Sequence, residues 1–534
     1  MSGLVRSNLL VASGTATSRI TGLARIIVFA SIVGQTSVAD VFEIANNAPN
    51  AVYELLIGGV LSASLVPLVV SILRRNTSSR HHPDLDAVYS TALVLLAAVT
   101  ALAVLSAGWI FRVFTLSPSG DIDVAAFRTA GTLLTRIFVV QIFFYGMAAL
   151  SSAVLNARGR FATGAWSPAL ANLITIGILL LVPVTGADDP PSIANISSMS
   201  ATTWTLGLST TIGITVMAFL QWWTMRRAGI RLSFAPSLSN ESVRNLLRLS
   251  TWSVGYVLAN QVALVVIKNL ASPGSGLVDA YTKAFVIFQL PHGLLAVSIA
   301  TTFLPRLAEK HRAGRHEEFA ARISQGIRVT ILLTLPASIV AVTLAEPLVS
   351  LLLGHGNFDV AAIESTSRAL SGLAIGLVGF STYLFVLRGF YAKGDTRTPF
   401  LINIVENAIN VALAVVLVDS LDVLGLGMAF GVAYLIGAIV AAISLSATTP
   451  AWSLSRLGAP LARYVVAGAA MTTITWVMSR VLPADGALQS LVTLLLAGIP
   501  GIAAFVVVLV VLRDEDLRHA ARLYLERKTT KSSR

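Results

Sequence analysis

The chain has 534 residues, 55% hydrophobic and only 12% charged, with a net charge of +12 and no cysteine. Soluble proteins carry about 25% charged residues, so this composition, with a mean hydropathy of +0.78, describes a polytopic membrane protein without a large soluble domain. The missing cysteines exclude disulfides, thiolate metal sites and cysteine nucleophiles, and the positive charge fits basic loops at a membrane rather than a nucleic-acid surface.

A span takes about 20 mainly apolar residues. On that measure helices are predicted at 7–34, 50–73, 87–115, 125–156, 165–184, 203–226, 245–270, 280–308, 321–353, 364–391, 399–419, 423–447, 460–482 and 488–512. The expectation is an all-α fold of 14 transmembrane helices. The first span contains arginines and lacks a short apolar core followed by a small-residue cleavage site, so no cleavable signal peptide is read here. Connections from even to odd helices carry Arg74, Arg75 and Arg80, then Arg158 and Arg160, Arg226 and Arg227, Lys310 and Arg312, Lys393 and Arg397, and Arg456. Connections from odd to even helices carry Asp40 and Glu43, Asp121 and Asp123, Asp188 and Asp189, Asp359, Asp419 and Asp422, and Asp485. Basic loops stay inside, which predicts that both termini are cytoplasmic.

The sequence also repeats. LNARGRFATGAWSP after the fourth helix matches FYAKGDTRTP after the tenth, with Gly159 and Gly394 separated by 235 residues. SASLVP in the second helix matches ATTFLP in the eighth, with Pro67 and Pro305 separated by 238. An offset of six helices preserves orientation, so it predicts two six-helix lobes, 1–235 and 236–450, related by an axis along the membrane normal. Residues 451–512 add two helices. The tail, 513–534, reads as a short amphipathic cytoplasmic helix with a basic end, resting on anionic headgroups or leading to a further domain.

No catalytic arrangement, metal-ligand spacing or phosphate-binding loop is found. The expectation is therefore a transporter without covalent chemistry or a cofactor, driven by a monovalent cation gradient, the membrane potential or the substrate's own gradient. The informative residues are charges inside helices, which cost a few kcal/mol to bury and mark polar pathways. Arg19 and Arg25 lie in the first span; either they face a polar cavity or the helix begins after them, at the headgroups. Arg136 lies in the fourth and Lys283 in the eighth, whereas Lys268 is read as snorkelling from the outer end of the seventh. Glu406, with Asn403, Asn407 and Asn410, lies on one face of the eleventh, as a cation site or as interhelical hydrogen bonding. Arginine in excess over buried carboxylate favours an anionic, phosphorylated substrate.

The pattern S-R-x-x-G-x-x-R, then A-D-x-F, P-N and G-x-x-S-x-x-x-x-P, together with GFYAKGDTRTP, resembles the MurJ (MviN) family of lipid II flippases, of the multidrug/oligosaccharidyl-lipid/polysaccharide exporter superfamily. The resemblance spans essentially the whole chain. It implies a V-shaped pair of lobes around a cationic cavity for a diphosphate-sugar-peptide headgroup, with the last two helices forming a groove for the polyprenyl tail, in a bacterial inner membrane. Carried over by position, Arg19, Arg25, Asp40 and Asn50 would contact the headgroup, with Arg136 and Lys283 as further basic contacts. The chain departs from the family pattern at Tyr53 and Gly58, and at Val286, where Lys283 lies one turn earlier. Some actinobacterial relatives carry a kinase-like domain after the last helix, so lipid II, membrane lipids and a C-terminal regulatory domain or cell-wall proteins are the expected partners. The rival expectations are a flippase for another polyprenyl-linked glycan, a cation-coupled drug exporter and a membrane scaffold for cell-wall enzymes.

Overall fold

The computed structural model describes residues 3–54, 65–75, 82–186, 188–230, 232–482 and 486–518. It is all-helical, with no strand among the described residues. Helices dominate because a backbone crossing lipid must satisfy its own hydrogen bonds. By compactness the chain divides into two units, one comprising 1–279 with 355–359 and the other 280–354 with 360–534. The expected division at 235/236 is a statement about internal relatedness, not compactness; here the seventh helix groups with the first unit.

The first unit contains α1 (Gly3–Val33), α2 (Ser37–Ala45), α3 (Asn47–Glu54), α4 (Val66–Arg75), α5 (Pro83–Leu105), α6 (Ala107–Val113), α7 (Val124–Phe138), α8 (Gln141–Ala157), α9 (Ala162–Leu179), α10 (Ile193–Ser197), α11 (Ala201–Arg227) and α12 (Glu241–Leu270). Helix α13 (Leu277–Pro291) begins in it. The second continues with α14 (Val297–Arg312), α15 (His316–Thr343), α16 (Ala345–Leu353), α17 (Val360–Ile375), α18 (Leu377–Ala392), α19 (Arg397–Leu421), α20 (Val423–Ala447), α21 (Ser455–Val481) and α22 (Ala487–Val511).

Among the described residues 11 helical segments are long and apolar enough to cross a membrane, or 12 if α17 and α18, bent by 45°, form one span. These match 12 of the 14 expected spans. Of the other two, 50–73 runs through residues 55–64, which lie outside the described residues, as do Arg80, Asp485 and the tail beyond Arg518. The seventh is present as α12, in which Val254–Leu270 forms an apolar segment among the residues searched.

Local chemistry sets where helices start and stop. The Asp123 carboxylate accepts from the Ala125 and Ala126 amides at the start of α7, and Asn240 does the same for Ser242 and Val243 at the start of α12, satisfying amides that have no intrahelical acceptor. The two matched glycines close their helices identically. Gly159 follows α8 at φ +71° and Gly394 follows α18 at φ +76°. In each case the residue after the glycine donates back, Arg160 to the Leu155 carbonyl at 2.9 Å and Asp395 to the Phe390 carbonyl at 3.0 Å. Nothing lies near either missing Cβ, so glycine is needed there for its left-handed backbone and not for space. In the second unit close approach decides instead: a Cβ on Gly431 of α20 would lie 2.8 Å from the Gly376 backbone nitrogen, at the α17–α18 break. Small residues at such crossings let helices pack where lipid gives no hydrophobic drive.

Candidate functional site

Both arginines of the first span lie within α1, half-buried, well after its start. The reading in which the helix begins after Arg25 is therefore excluded. The rotation of α1 is fixed by α9. Asn172 Nδ2 donates to the Ser18 carbonyl at 3.1 Å and to Thr21 Oγ1 at 3.2 Å, and Trp166 Nε1 donates to the Leu10 carbonyl at 3.0 Å. Gly14 allows the approach, since a Cβ there would lie 2.6 Å from the Trp166 ring.

Arg25 comes within electrostatic reach of the Tyr145 hydroxyl on α8. That hydroxyl donates to Asn50 Oδ1 on α3 at 3.4 Å, and the Tyr53 ring packs against the Tyr145 ring with centroids 4.5 Å apart. Asn50 thus bonds a tyrosine that the sequence reading missed, and Arg25 lies within electrostatic range of the same hydroxyl. Within an apolar run a tyrosine gives no signal of its own. Chemically the cluster offers a guanidinium, able to hold phosphate oxygens through parallel N–H bonds, beside neutral amide and phenol groups suited to sugar hydroxyls.

Three other residues of the first unit fall elsewhere. Asp40 is fully buried on α2, and its Oδ2 accepts from the Gly274 and Gly276 amides at 2.8 and 2.9 Å while Oδ1 accepts from the Asp279 amide at 2.8 Å. Burial, reinforced by the neighbouring Asp279 carboxyl, pushes the Asp40 carboxyl up to about 7 against the opposing pull of the three amides. In this structure its oxygens organise the 274–279 turn. Lys268 does not snorkel: it is buried, with Nζ donating to the Glu43 carbonyl at 3.1 Å and lying 5.9 Å from the Phe114 ring centre. That one α2 carbonyl is a partner that cannot be read from a helix-end position. Arg136 is exposed in the last turn of α7.

The second unit holds the remaining candidates. Lys283 is almost completely buried on α13. Asn403, Glu406 and Asn410 form one buried face of α19, while Asn407 is half-buried and donates to the Asn403 carbonyl at 2.9 Å. The carboxyl of Glu406 faces Tyr434 of α20, and Tyr281 of α13 lies within electrostatic reach. Gly437 makes room for it: a Cβ there would stand 3.2 Å from Glu406 Cγ. A carboxyl group surrounded by amides and phenols can take either a proton or a small cation through oxygen atoms.

The family model described as lipid II flippase MurJ matches residues 29–497. The match begins just after Arg19 and Arg25. A probable lipid II flippase MurJ of Rhizobium meliloti is 29% identical over 437 residues, covering 82% of this chain and 79% of that protein. A lipid II flippase MurJ of Burkholderia cenocepacia is 28% identical over 424 residues, covering 78% and 77%. Among solved structures, a lipid II flippase MurJ in an inward closed conformation superposes with a TM-score of 0.75 at 20% identity, over 95% of this chain and 99% of the other. An inward-facing MATE multidrug transporter of the MOP superfamily gives 0.65 at 15% identity, over 81% and 95%. The chain thus shares its fold with both proteins, and the family model, which covers most of the sequence, shows the family: the chain belongs to the lipid II flippase MurJ family.

Proposed function

We propose that this protein moves lipid II, the lipid-linked peptidoglycan precursor, from the cytoplasmic to the outer leaflet of the bacterial inner membrane by alternating access, supplying cell-wall synthesis. Family membership supports the substrate class, and the observation that carries the mechanism is Arg25, half-buried within a membrane helix and in electrostatic range of Tyr145. An arginine placed there favours a diphosphate over a cationic drug, because the guanidinium supplies fixed charge and paired donors. Arg19, Arg136 and Lys283 are further basic contacts for the substrate. Asp40 acts one step removed, by shaping the turn that its carboxylate binds.

The remaining features belong to the same proposal. Fourteen helices cross the membrane with both termini inside, and the two lobes are related by the six-helix repeat. Transport involves no covalent chemistry. The buried face of Glu406, Asn403 and Asn410 binds a monovalent cation or a proton that helps to reset the transporter, and the membrane potential, at about 2.3 kcal/mol per charge per 100 mV, adds to that bias. Beyond the last helix the tail meets anionic lipid, a kinase-like regulatory domain or cell-wall proteins. The direct test is depletion of the protein in its host while lipid II exposed at the outer leaflet is measured. Accumulation of lipid II on the cytoplasmic leaflet is expected; unchanged exposure would overturn the assignment and leave the scaffold reading.

A further inference from the structure

The second unit buries a histidine that the proposed transport does not use. His292 lies near the middle of the apolar segment Leu277–Arg312, and an ionisable group inside a span marks a functional position when its partner can be named. The partner is Ser381 of α18, whose Oγ lies 3.0 Å from His292 Nδ1, both side chains being buried. The Phe380 ring packs against the imidazole with centroids 4.6 Å apart. His292 also opens a discontinuity. Residues His292–Ala296 form a π-turn between α13 and α14, a local break in helix geometry that recurs at functional sites. Ser381 in turn lies five residues after Gly376, at the 45° bend between α17 and α18. One hydrogen bond therefore joins two interrupted helices.

The surroundings suit two charge states. Histidine is the side chain that ordinarily changes charge between about pH 5 and 8. A neutral imidazole can accept at Nδ1 from the Ser381 hydroxyl; a charged one donates from both nitrogens, and the same hydroxyl turns to accept. The Phe380 ring lies within the roughly 6 Å over which an aromatic ring attracts a cation. In this unit the elements chiefly packed against the turn are α14, α15 and α18. Their stretches 297–305, 329–341 and 377–387 contain no charged residue, and Tyr383 is the one titratable group in them. Lys283 stands nine residues earlier on α13, about two and a half turns away and so on the opposite face. Glu406 is screened from the imidazole by Phe380 and Tyr434, whose rings pack with centroids 4.8 Å apart.

We infer that His292 is a proton-binding site whose charge sets the geometry of the π-turn, so that the α13–α14 span responds to proton activity independently of Glu406. The charged ring carries two N–H donors where the neutral ring carries one, and a buried donor needs an acceptor. Carbonyls of an irregular turn, unlike those of a continuous helix, can be redirected to supply it. Gain or loss of the proton is thereby converted into a change of register where α13 passes into α14.

The test uses the purified full-length chain in detergent. Protein labelled at histidine is titrated by NMR between about pH 5 and 8, the His292 signal being the one that His292→Asn removes. The chain has no cysteine, so Gln289→Cys and Thr301→Cys, at exposed positions flanking the turn, carry a unique pair of nitroxides about 18 Å apart along the helix. Their separation is read by double electron–electron resonance across the same pH range. The His292 signal should titrate, and the separation should shift with the same midpoint by about 1.5 Å, the rise of one residue. Adding His292→Asn, whose amide stands opposite Ser381 without titrating, should abolish the shift; His292→Gln replaces it should the asparagine variant not fold. Adding Glu406→Gln should leave the shift in place. A His292 signal that does not move, a separation that does not follow it, a shift that survives His292→Asn, or one that Glu406→Gln removes would each overturn the proposal.

Discussion

The Asp40 carboxylate gives a prediction whose size follows from its contacts. Three backbone amides, those of Gly274, Gly276 and Asp279, spend their hydrogen bonds on its two oxygens in a fully buried place. Asp40→Ala strands all three donors, and a buried donor left without a partner costs about 1–3 kcal/mol. Allowing for relaxation of the turn, about 3–5 kcal/mol of stability should be lost. Asp40→Asn keeps one oxygen for two of the amides but turns an NH₂ toward the third, which predicts a loss of about 1–3 kcal/mol. The pH dependence has a definite sign. Because the folded carboxyl is pushed up to about 7 by burial and by Asp279, the folded protein holds a proton that the unfolded chain releases near pH 4. Its stabilising contribution is full below about pH 4, falls as pH rises through about 7 and is level above that. Between pH 5 and pH 8 wild type should lose about 3 kcal/mol relative to Asp40→Asn, which cannot titrate there. The assay is unfolding of the purified protein in detergent at both pH values, with amide exchange followed at 274–279. Parallel stability of wild type and Asp40→Asn across that range, or an unaltered Asp40→Ala protein, would refute the reasoning.

Three further predictions are independent of Asp40. Arg328 on α15 grips Asp516 through Nε at 2.6 Å and a second nitrogen at 3.1 Å, and Tyr464 on α21 donates to the same carboxylate at 3.0 Å; a double-mutant cycle of Arg328→Ala and Asp516→Ala should give a coupling of about 0.5–3 kcal/mol, and additive losses would show that residues after α22 are not anchored there. Single cysteines at Asp188 and Asp359 should react with an impermeant maleimide in intact spheroplasts while those at Gly314 and Ser455 should not, and outside labelling of Gly314 would sink the topology. Glu406→Gln should slow growth in a manner that depends on sodium or pH; normal growth under every condition would leave the Glu406–Asn403–Asn410 face as interhelical glue.

Hydropathy made the spans legible because lipid imposes a length and a composition on each helix, and the like helix endings at Gly159 and Gly394 were legible because both need the same left-handed backbone. Arg25 stood out as a charge in an apolar run. Partners distant in sequence did not. Nothing near Asp40 announces that its acceptors serve amides more than 230 residues later, and Lys268 was misread because the carbonyl it needed lies on α2. Tyr145 was invisible for the opposite reason, its chemistry hidden in a residue type common in membrane helices. Arg136 was legible as a charge within a span, but its exposure was not, because a position in the sequence does not say which way the side chain faces.

The central claim is that the arginines of α1 hold the diphosphate of the substrate, and substitution at Arg25 tests it most directly. Lysine keeps the charge but loses the fork, and one charge-assisted hydrogen bond of about 1.5–3 kcal/mol corresponds to roughly 10- to 150-fold in affinity. The measurement is lipid II exposed on the outer leaflet, with growth, in cells whose only copy carries Arg25→Lys, Arg25→Ala or Arg19→Ala/Arg25→Ala at membrane levels verified by immunoblot. Impaired exposure with lysine, none with alanine at position 25 and none with the double variant is the predicted result. Normal exposure by the double alanine protein at wild-type abundance would contradict the account.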